Sequence, residues 1–168
     1  RHTRSFHVTG VQTCALPIFS VTTLGPDYCF SYGTTTVREY INSFQLGTFS
    51  NPSGSNTGYG KFTGLTINTV AGQTYSLTIT PAWNGSARSE AYRVWIDLNQ
   101  DGDFADAGEQ VFSQSKTTAL SITGSIVIPS TATKGATRLR VTMKYSSSPG
   151  PCDVNISGEV EDYTISIQ

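Results

Sequence analysis

Apolar and polar positions alternate with a period of two through most of the chain. In Tyr75-Ser76-Leu77-Thr78-Ile79-Thr80 every second side chain is apolar, as a strand with one face in a core and one in water requires. Comparable runs occupy Tyr40–Phe49, Phe62–Val70, Ala91–Asp97, Leu120–Ile128, Thr137–Tyr145 and Val160–Ile167. Between them lie clusters of turn-forming residues: Asn51 to Gly54, Ala71-Gly72, Pro81 to Gly85, Pro129 to Gly135 and Ser146 to Pro151. The stretch nearest to a helical pattern is Val37 to Phe44, and it is weak. Seven or eight short strands at this spacing predict an all-β fold, a single-domain antiparallel β-sandwich with a jelly-roll-like character.

Composition supports strands over helices. Only 14% of residues are charged. Thr, Ser and Gly are abundant instead, and Thr and Ser favour extended chain and polar turns. No apolar run approaches the roughly 20 residues that cross a bilayer as a helix, so a soluble chain is expected, with no membrane partner. The first eighteen residues stand apart. Val8 to Ile18, VTGVQTCALPI, reads as the conceptual translation of a sequencing-library adapter, and residues 1–18 are expected to be a non-native artefact on a fragment of environmental origin. Residues 19–27 read as a linker remnant and 28–168 as the domain. Setting aside 1–18 removes both histidines and Cys14. It also takes the eleven basic residues to nine against twelve acidic ones, a net charge of −3. Such a surface gives no electrostatic reason to expect nucleic acid. Cys29 and Cys152 remain, a pair that predicts a disulfide between the first strand region and the last loop, with two buried thiols as the alternative.

The sharpest local signal is Asp97-Leu98-Asn99-Gln100-Asp101-Gly102-Asp103-Phe104-Ala105-Asp106-Ala107-Gly108-Glu109. Oxygen-bearing side chains recur at 97, 99, 101 and 103, and Gly102 permits a sharp bend. Calcium takes six to eight oxygens at about 2.3–2.6 Å, and such a loop delivers several from one stretch. Asp97, Asn99, Asp101, Asp103, Asp106 and Glu109 are therefore the expected ligands of a structural Ca²⁺. The closing acid falls one residue late for an EF-hand, and the flanks are strand-like (Tyr92 to Ile96, Gln110 to Phe112). Five carboxylates in thirteen residues repel one another unless a cation intervenes.

Near the C-terminus stands Gly158-Glu159-Val160-Glu161-Asp162-Tyr163-Thr164. This motif resembles the one for which the GEVED domain family is named. The resemblance extends over Tyr28-Cys29, Tyr40-Ile41, Gln45-Leu46-Gly47, Val94 to Asp97, Arg138 to Val141 and Pro151-Cys152, in the family's order. Leu98 departs from it, where an aromatic residue is more usual. The resemblance implies a β-sandwich accessory domain of a larger secreted bacterial protein, a peptidase or a surface or adhesive protein, with the partner domain upstream. It also supports pairing Cys29 with Cys152. Within the motif, alternation places Glu159, Glu161 and Tyr163 on one face and Val160 and Asp162 on the other. Glu159, Glu161 and Asp162 form a possible secondary acidic site. A buried Glu161 needs a partner, for which Arg138, Arg140 or the calcium ion are candidates, an ion pair and metal ligation being equally expected.

No histidine general base is left for Ser or Cys hydrolysis once residues 1–18 are excluded. A carboxylate-based glycoside hydrolase would pair Glu159, Glu161 or Asp162 with Glu90, but each of these has a simpler structural role. The expected function is thus a non-catalytic, calcium-binding targeting or adhesion module, secreted or extracellular, that meets a glycan or protein surface. The alternative is a structural spacer or stabilising cap. Trp83, Tyr59 and Tyr145 lie near turns and could present ring faces to a ligand, whereas Trp95 reads as core.

Overall fold

A computed structural model describes residues 27–35 and 38–168. The segment expected to be artefact (1–18), and all of the expected linker except Asp27, lie outside these residues. Ten strands form two sheets, and among the described residues there is no helix. The strands are β1 (Tyr32–Thr35), β2 (Glu39–Leu46), β3 (Phe49–Asn51), β4 (Tyr59–Thr69), β5 (Thr74–Trp83), β6 (Glu90–Ile96), β7 (Gln110–Thr117), β8 (Ile122–Val127), β9 (Gly135–Tyr145) and β10 (Val154–Ile167).

The smaller sheet has the order β3-β2-β5-β8 and is antiparallel throughout. The larger runs β1-β10-β9-β6-β7, with β4 also on β10. Alternation packs the two together. Tyr92, Val94 and Ile96 of β6, Leu139, Val141 and Met143 of β9, and Tyr163, Ile165 and Ile167 of β10 point to the same side. There they meet Ile41, Phe44, Leu46, Leu77, Ile79, Ile122 and Ile126 of the small sheet. Each such buried side chain contributes roughly 1.5–3 kcal/mol. Tyr163 is the centre of the aromatic part, stacked between Phe44 and Phe62 with Phe49 edge-on.

Three features differ from the alternation pattern. The turn expected from Pro81 begins later, because β5 continues to Trp83. Pro81 is tolerated there because β8 pairs only as far as Ile79 and β2 is irregular between Ile41 and Ser43. Of the weak helical candidate, Val37 to Phe44, residues 39–44 belong to strand β2 and Val37 lies outside the described residues. And the sandwich is not purely antiparallel, since β1 and β4 both run parallel to β10. β1 takes Val154 to Ser157 and β4 takes over from Val160, and the exchange occurs where the Gly33 amide donates to the Gly58 carbonyl at 2.9 Å. A Cβ on Gly33 would overlap the Gly158 carbonyl, one on Gly58 the Gly33 carbonyl, and one on Gly158 the Met143 carbonyl. Three backbones therefore pass closer than any side chain permits.

The outer face of the large sheet is also covered. Trp95, Arg140, Thr142, Val160 and Asp162 point away from the small sheet yet are buried. Residues 28–31 and the loop before β10 lie over them, joined by the Cys29–Cys152 disulfide, which is present as expected. Reducing this bond frees a loop of 123 residues in the unfolded chain. Cys29→Ser with Cys152→Ser is expected to lower stability by about 2–5 kcal/mol, measured as a lower urea midpoint.

Candidate metal centre and the adjoining groove

The acidic loop joins β6 to β7, neighbours in the large sheet, and the strands hold its base. The Ile96 amide donates to the Glu109 carbonyl at 2.9 Å and the Asp97 amide to the Arg138 carbonyl at 3.1 Å. Asp97 is fully buried and organises the turn above it: its carboxylate accepts the amides of Gln100 (2.6 Å) and Gly102 (3.1 Å) and the Tyr28 hydroxyl (2.6 Å). Gly102 has φ +99°, the left-handed conformation its position in the bend requires. Glu109 is buried beneath the other side, accepting the amides of Leu98 (2.9 Å) and Asp106 (3.3 Å), and burial pushes its carboxyl up from the usual range.

Above these two anchors the exposed acids converge. Asp101, Asp103 and Asp106 each offer a carboxylate oxygen within 4.8 Å of the other two. Asn99 bridges them, its amide donating to Asp106 at 2.6 Å and to Asp101 at 3.0 Å. Successive turns in which Asn99, Asp101 and Asp103 accept the amide two residues on set the side chains inward. The Asn99 contact and the Asp103 amide hold the Asp101 carboxyl below its ordinary range. Of the six residues expected to ligate calcium, four lie together on the exposed side of the loop. Asp97 and Glu109 lie beneath it, with carboxylates that receive loop amides. The donor set is all oxygen and mostly anionic, which fits a hard divalent cation with water completing the shell.

The signature strand β10 is divided by its own alternation. Glu159 and Glu161 face inward and are fully buried. Glu159 accepts the Asn56 amide at 2.6 Å and the Ile41 amide at 2.8 Å, fastening β10 to the small sheet. Glu161 accepts the Tyr163 hydroxyl at 2.8 Å. Burial pushes their carboxyls up to about 7 and about 8 respectively. Asp162 faces outward and takes both arginines. Arg140 grips it with two bonds of 2.7 Å, Arg138 adds one of 3.2 Å, and the Tyr59 hydroxyl donates at 2.9 Å. The expectation of Arg138 or Arg140 as partner of Glu161 is thus corrected. Both arginines occupy outward positions of β9, so they reach Asp162. For the same reason Glu159, Glu161 and Asp162 do not form one acidic site. Glu90 is fully buried beside Glu39 and the Trp83 indole, with its carboxyl raised to about 7, and presents no face to a substrate.

The three aromatic residues expected to face a ligand are not brought together. Tyr145 lies against Arg88, whose guanidinium stacks 3.5 Å from its ring centre and pairs with Glu39, and the Trp83 indole lies beside Glu90. Tyr59 instead lines an open groove of about 760 Å³ between residues 27–33 and the start of β4. Sequence reasoning missed this groove and its principal aromatic residues, Phe30 and Tyr32. The signal present was the spacing Tyr28, Phe30, Tyr32, three aromatic side chains at alternate positions.

Residues 91–166 match the GEVED domain. No curated protein matches the chain. Among solved structures, the crystal structure of a Niemann-Pick type C2 protein from Japanese carpenter ant is similar over 83% of this chain and 100% of that one, at 6% identity and a TM-score of 0.43. The matched family is one of accessory domains and no catalytic family is indicated. With the disulfide, this suggests an extracellular protein.

Two outcomes follow from the electrostatics. Asp162→Ala leaves Arg140 buried without its counter-charge, and is expected to cost about 3–5 kcal/mol in urea unfolding. The folded chain retains protons on Glu159 and Glu161 that an unfolded chain releases near the ordinary carboxyl range. Their contribution is therefore complete at acidic pH and is lost as pH rises from about 4.5 towards 8. Melting temperature is expected to fall across that window, and Glu161→Gln to flatten the fall, raising the melting temperature at pH 8 but not at pH 4.5.

Proposed function

We propose, on the premise that this chain is a member of the GEVED domain family, that it is a non-catalytic extracellular module that binds one calcium ion in the β6–β7 loop and holds a partner domain of the same protein, a peptidase or surface protein, at its target. The observation that carries the metal reading is the convergence of Asp101, Asp103 and Asp106 within 4.8 Å on a loop whose base is fixed by buried Asp97 and Glu109. Three carboxylates so close repel one another in water, and a divalent cation converts that repulsion into attraction. Asn99 and the three aspartates would hold the ion. Asp97 and Glu109 shape the loop that presents them.

The ion's role in this reading is to stiffen the loop. Phe104 in the same loop is buried and packs on the Tyr28 ring at 5.1 Å, while the Arg140 guanidinium lies 5.2 Å from the Phe104 ring centre. An ordered loop thereby holds part of the outer-face cover. At an extracellular affinity of about 10⁻⁴ M and calcium of about 10⁻³ M, the stabilisation is about 1.4 kcal/mol.

Calcium at about 1 mM is expected to raise the melting temperature of the chelator-treated protein by several degrees. Asp103→Asn combined with Asp106→Asn should abolish the shift without lowering the melting temperature in chelator. An unchanged melting curve, together with a flat calcium titration by calorimetry, would remove the metal from this account.

A further inference from the structure

The groove between residues 27–33 and β4 has the makings of a ligand site distinct from the acidic loop. Its rim carries Phe30, 85% exposed, and Tyr32, 39% exposed. Exposed rings are commonly mobile, but these are carried on a segment fixed at several points. Cys29 is bonded to Cys152, the Ser31 hydroxyl donates to the Asp153 carbonyl at 2.8 Å, and Tyr32 begins the β1 pairing with β10. Tyr28, on the same alternate spacing, is held through its hydroxyl by Asp97 and by Arg138 over its ring at 4.6 Å. Tyr59 supplies a fourth ring from the opposite wall, fixed by its bond to Asp162. Preorganised aromatic faces of this kind bind at low entropic cost.

The charges in the groove identify what the rings would receive. Asp162 lines it, but both its oxygens are occupied by Arg140, Arg138 and Tyr59. Arg140 is likewise saturated, with its remaining donor on the carbonyls of Cys29 and Pro151. What stays available is Lys61, exposed and without an ion-pair partner among the described residues, and the outer donors of Arg138. Asp27 is the remaining acid on the lining. The free charge is therefore weighted to the positive side. Backbone recognition of an extended peptide is disfavoured here, because the Tyr32 amide already donates to the Asp153 carbonyl and the Gly33 amide to the Gly58 carbonyl. Recognition falls to ring faces and cations. Sugar rings have apolar C–H faces that lie on aromatic rings, and a uronic acid adds a carboxylate for Lys61 and Arg138.

We infer that this groove binds an acidic, carboxylate-bearing saccharide, its rings stacked on Phe30, Tyr32 and Tyr59 and its carboxylate received by Lys61 and Arg138. The inference deepens the targeting role proposed above by naming a ligand class, and it does not depend on calcium being the ion in the loop.

The test is calorimetric titration of the full chain with three probes: an oligogalacturonate, the neutral cello-oligosaccharide of the same length, and an oligoglutamate. Oligogalacturonate is expected to bind, and Phe30→Ala and Tyr32→Ala each to weaken it roughly tenfold. Lys61→Gln should weaken oligogalacturonate about threefold or more while leaving any neutral-sugar binding unchanged. All three side chains are exposed, so unaltered melting curves will show that the variants fold. The inference is overturned if oligogalacturonate gives no heat up to about 10 mM, or if it binds with the same affinity to all three variants. Equal binding of the neutral sugar would remove the carboxylate requirement and overturn the acidic class, and tighter binding of oligoglutamate would reassign the groove to acidic peptides. The titrations are run in chelator, because oligogalacturonate itself binds calcium, and the calcium-dependent melting shift is read without saccharide, so failure of one reading is not mistaken for failure of the other.

Discussion

The buried pair Arg140–Asp162 organises the outer half of this molecule. A guanidinium at 2% exposure is tolerated only where its charge and its donors are met. Here two donors go to Asp162 on the adjacent strand, and a third reaches the carbonyls of Cys29 and Pro151. One side chain thus connects β9, β10, the segment before β1 and the loop before β10. The disulfide fixes the same two segments covalently. Without the arginine they would be tethered but not seated, and without the tether the carbonyls that satisfy the arginine would be free to leave. Asp162 in turn holds Tyr59 and Arg138, so the groove and the strand network share one electrostatic centre.

Much of this fold was legible from the chain. The runs of alternation became β2, β4, β5, β6, β8, β9 and β10, and their apolar positions became the core. What escaped was non-local. Of β7 only the start, Gln110 to Phe112, read as strand-like, because a half-exposed strand beside one neighbour lacks the apolar repeat that marks a buried face. β1 and β4 run parallel to β10, a pairing no local pattern announces. In the acidic loop the carboxylates could be counted from sequence. Which of them would be claimed by loop amides could not, because that depends on where strand ends place Leu98, Gln100, Gly102 and Asp106. The partner of Glu161 was a different kind of miss. Leu139 and Val141 mark the inner face of β9, so Arg138 and Arg140 had to be outward, and the period of two already contained that answer.

The groove and the acidic loop are separate in chemistry but not in construction. Tyr28 belongs to both, with its ring in the groove and its hydroxyl on Asp97. Phe104 leaves the loop to pack against that ring. The sandwich core stands apart, and its buried acids serve packing between the sheets: Glu159 joins β10 to β2 and to the chain before β4. A sandwich of this design separates its rim from its interior, since the two share strands but few side chains.

The first letter of the signature acquires its meaning from the crossing of Gly33, Gly58 and Gly158. β10 changes partner there, from β1 to β4, and the two strands that flank the change also carry the two walls of the groove. The seam is in effect a hinge pin with no clearance. A single methyl group at Gly158 would act as a wedge between β10 and β9, overlapping the Met143 carbonyl just where β10 changes its other partner. The displaced strand also carries Asp162, so the packing of the sheet and the lining of the groove would be disturbed through one atom.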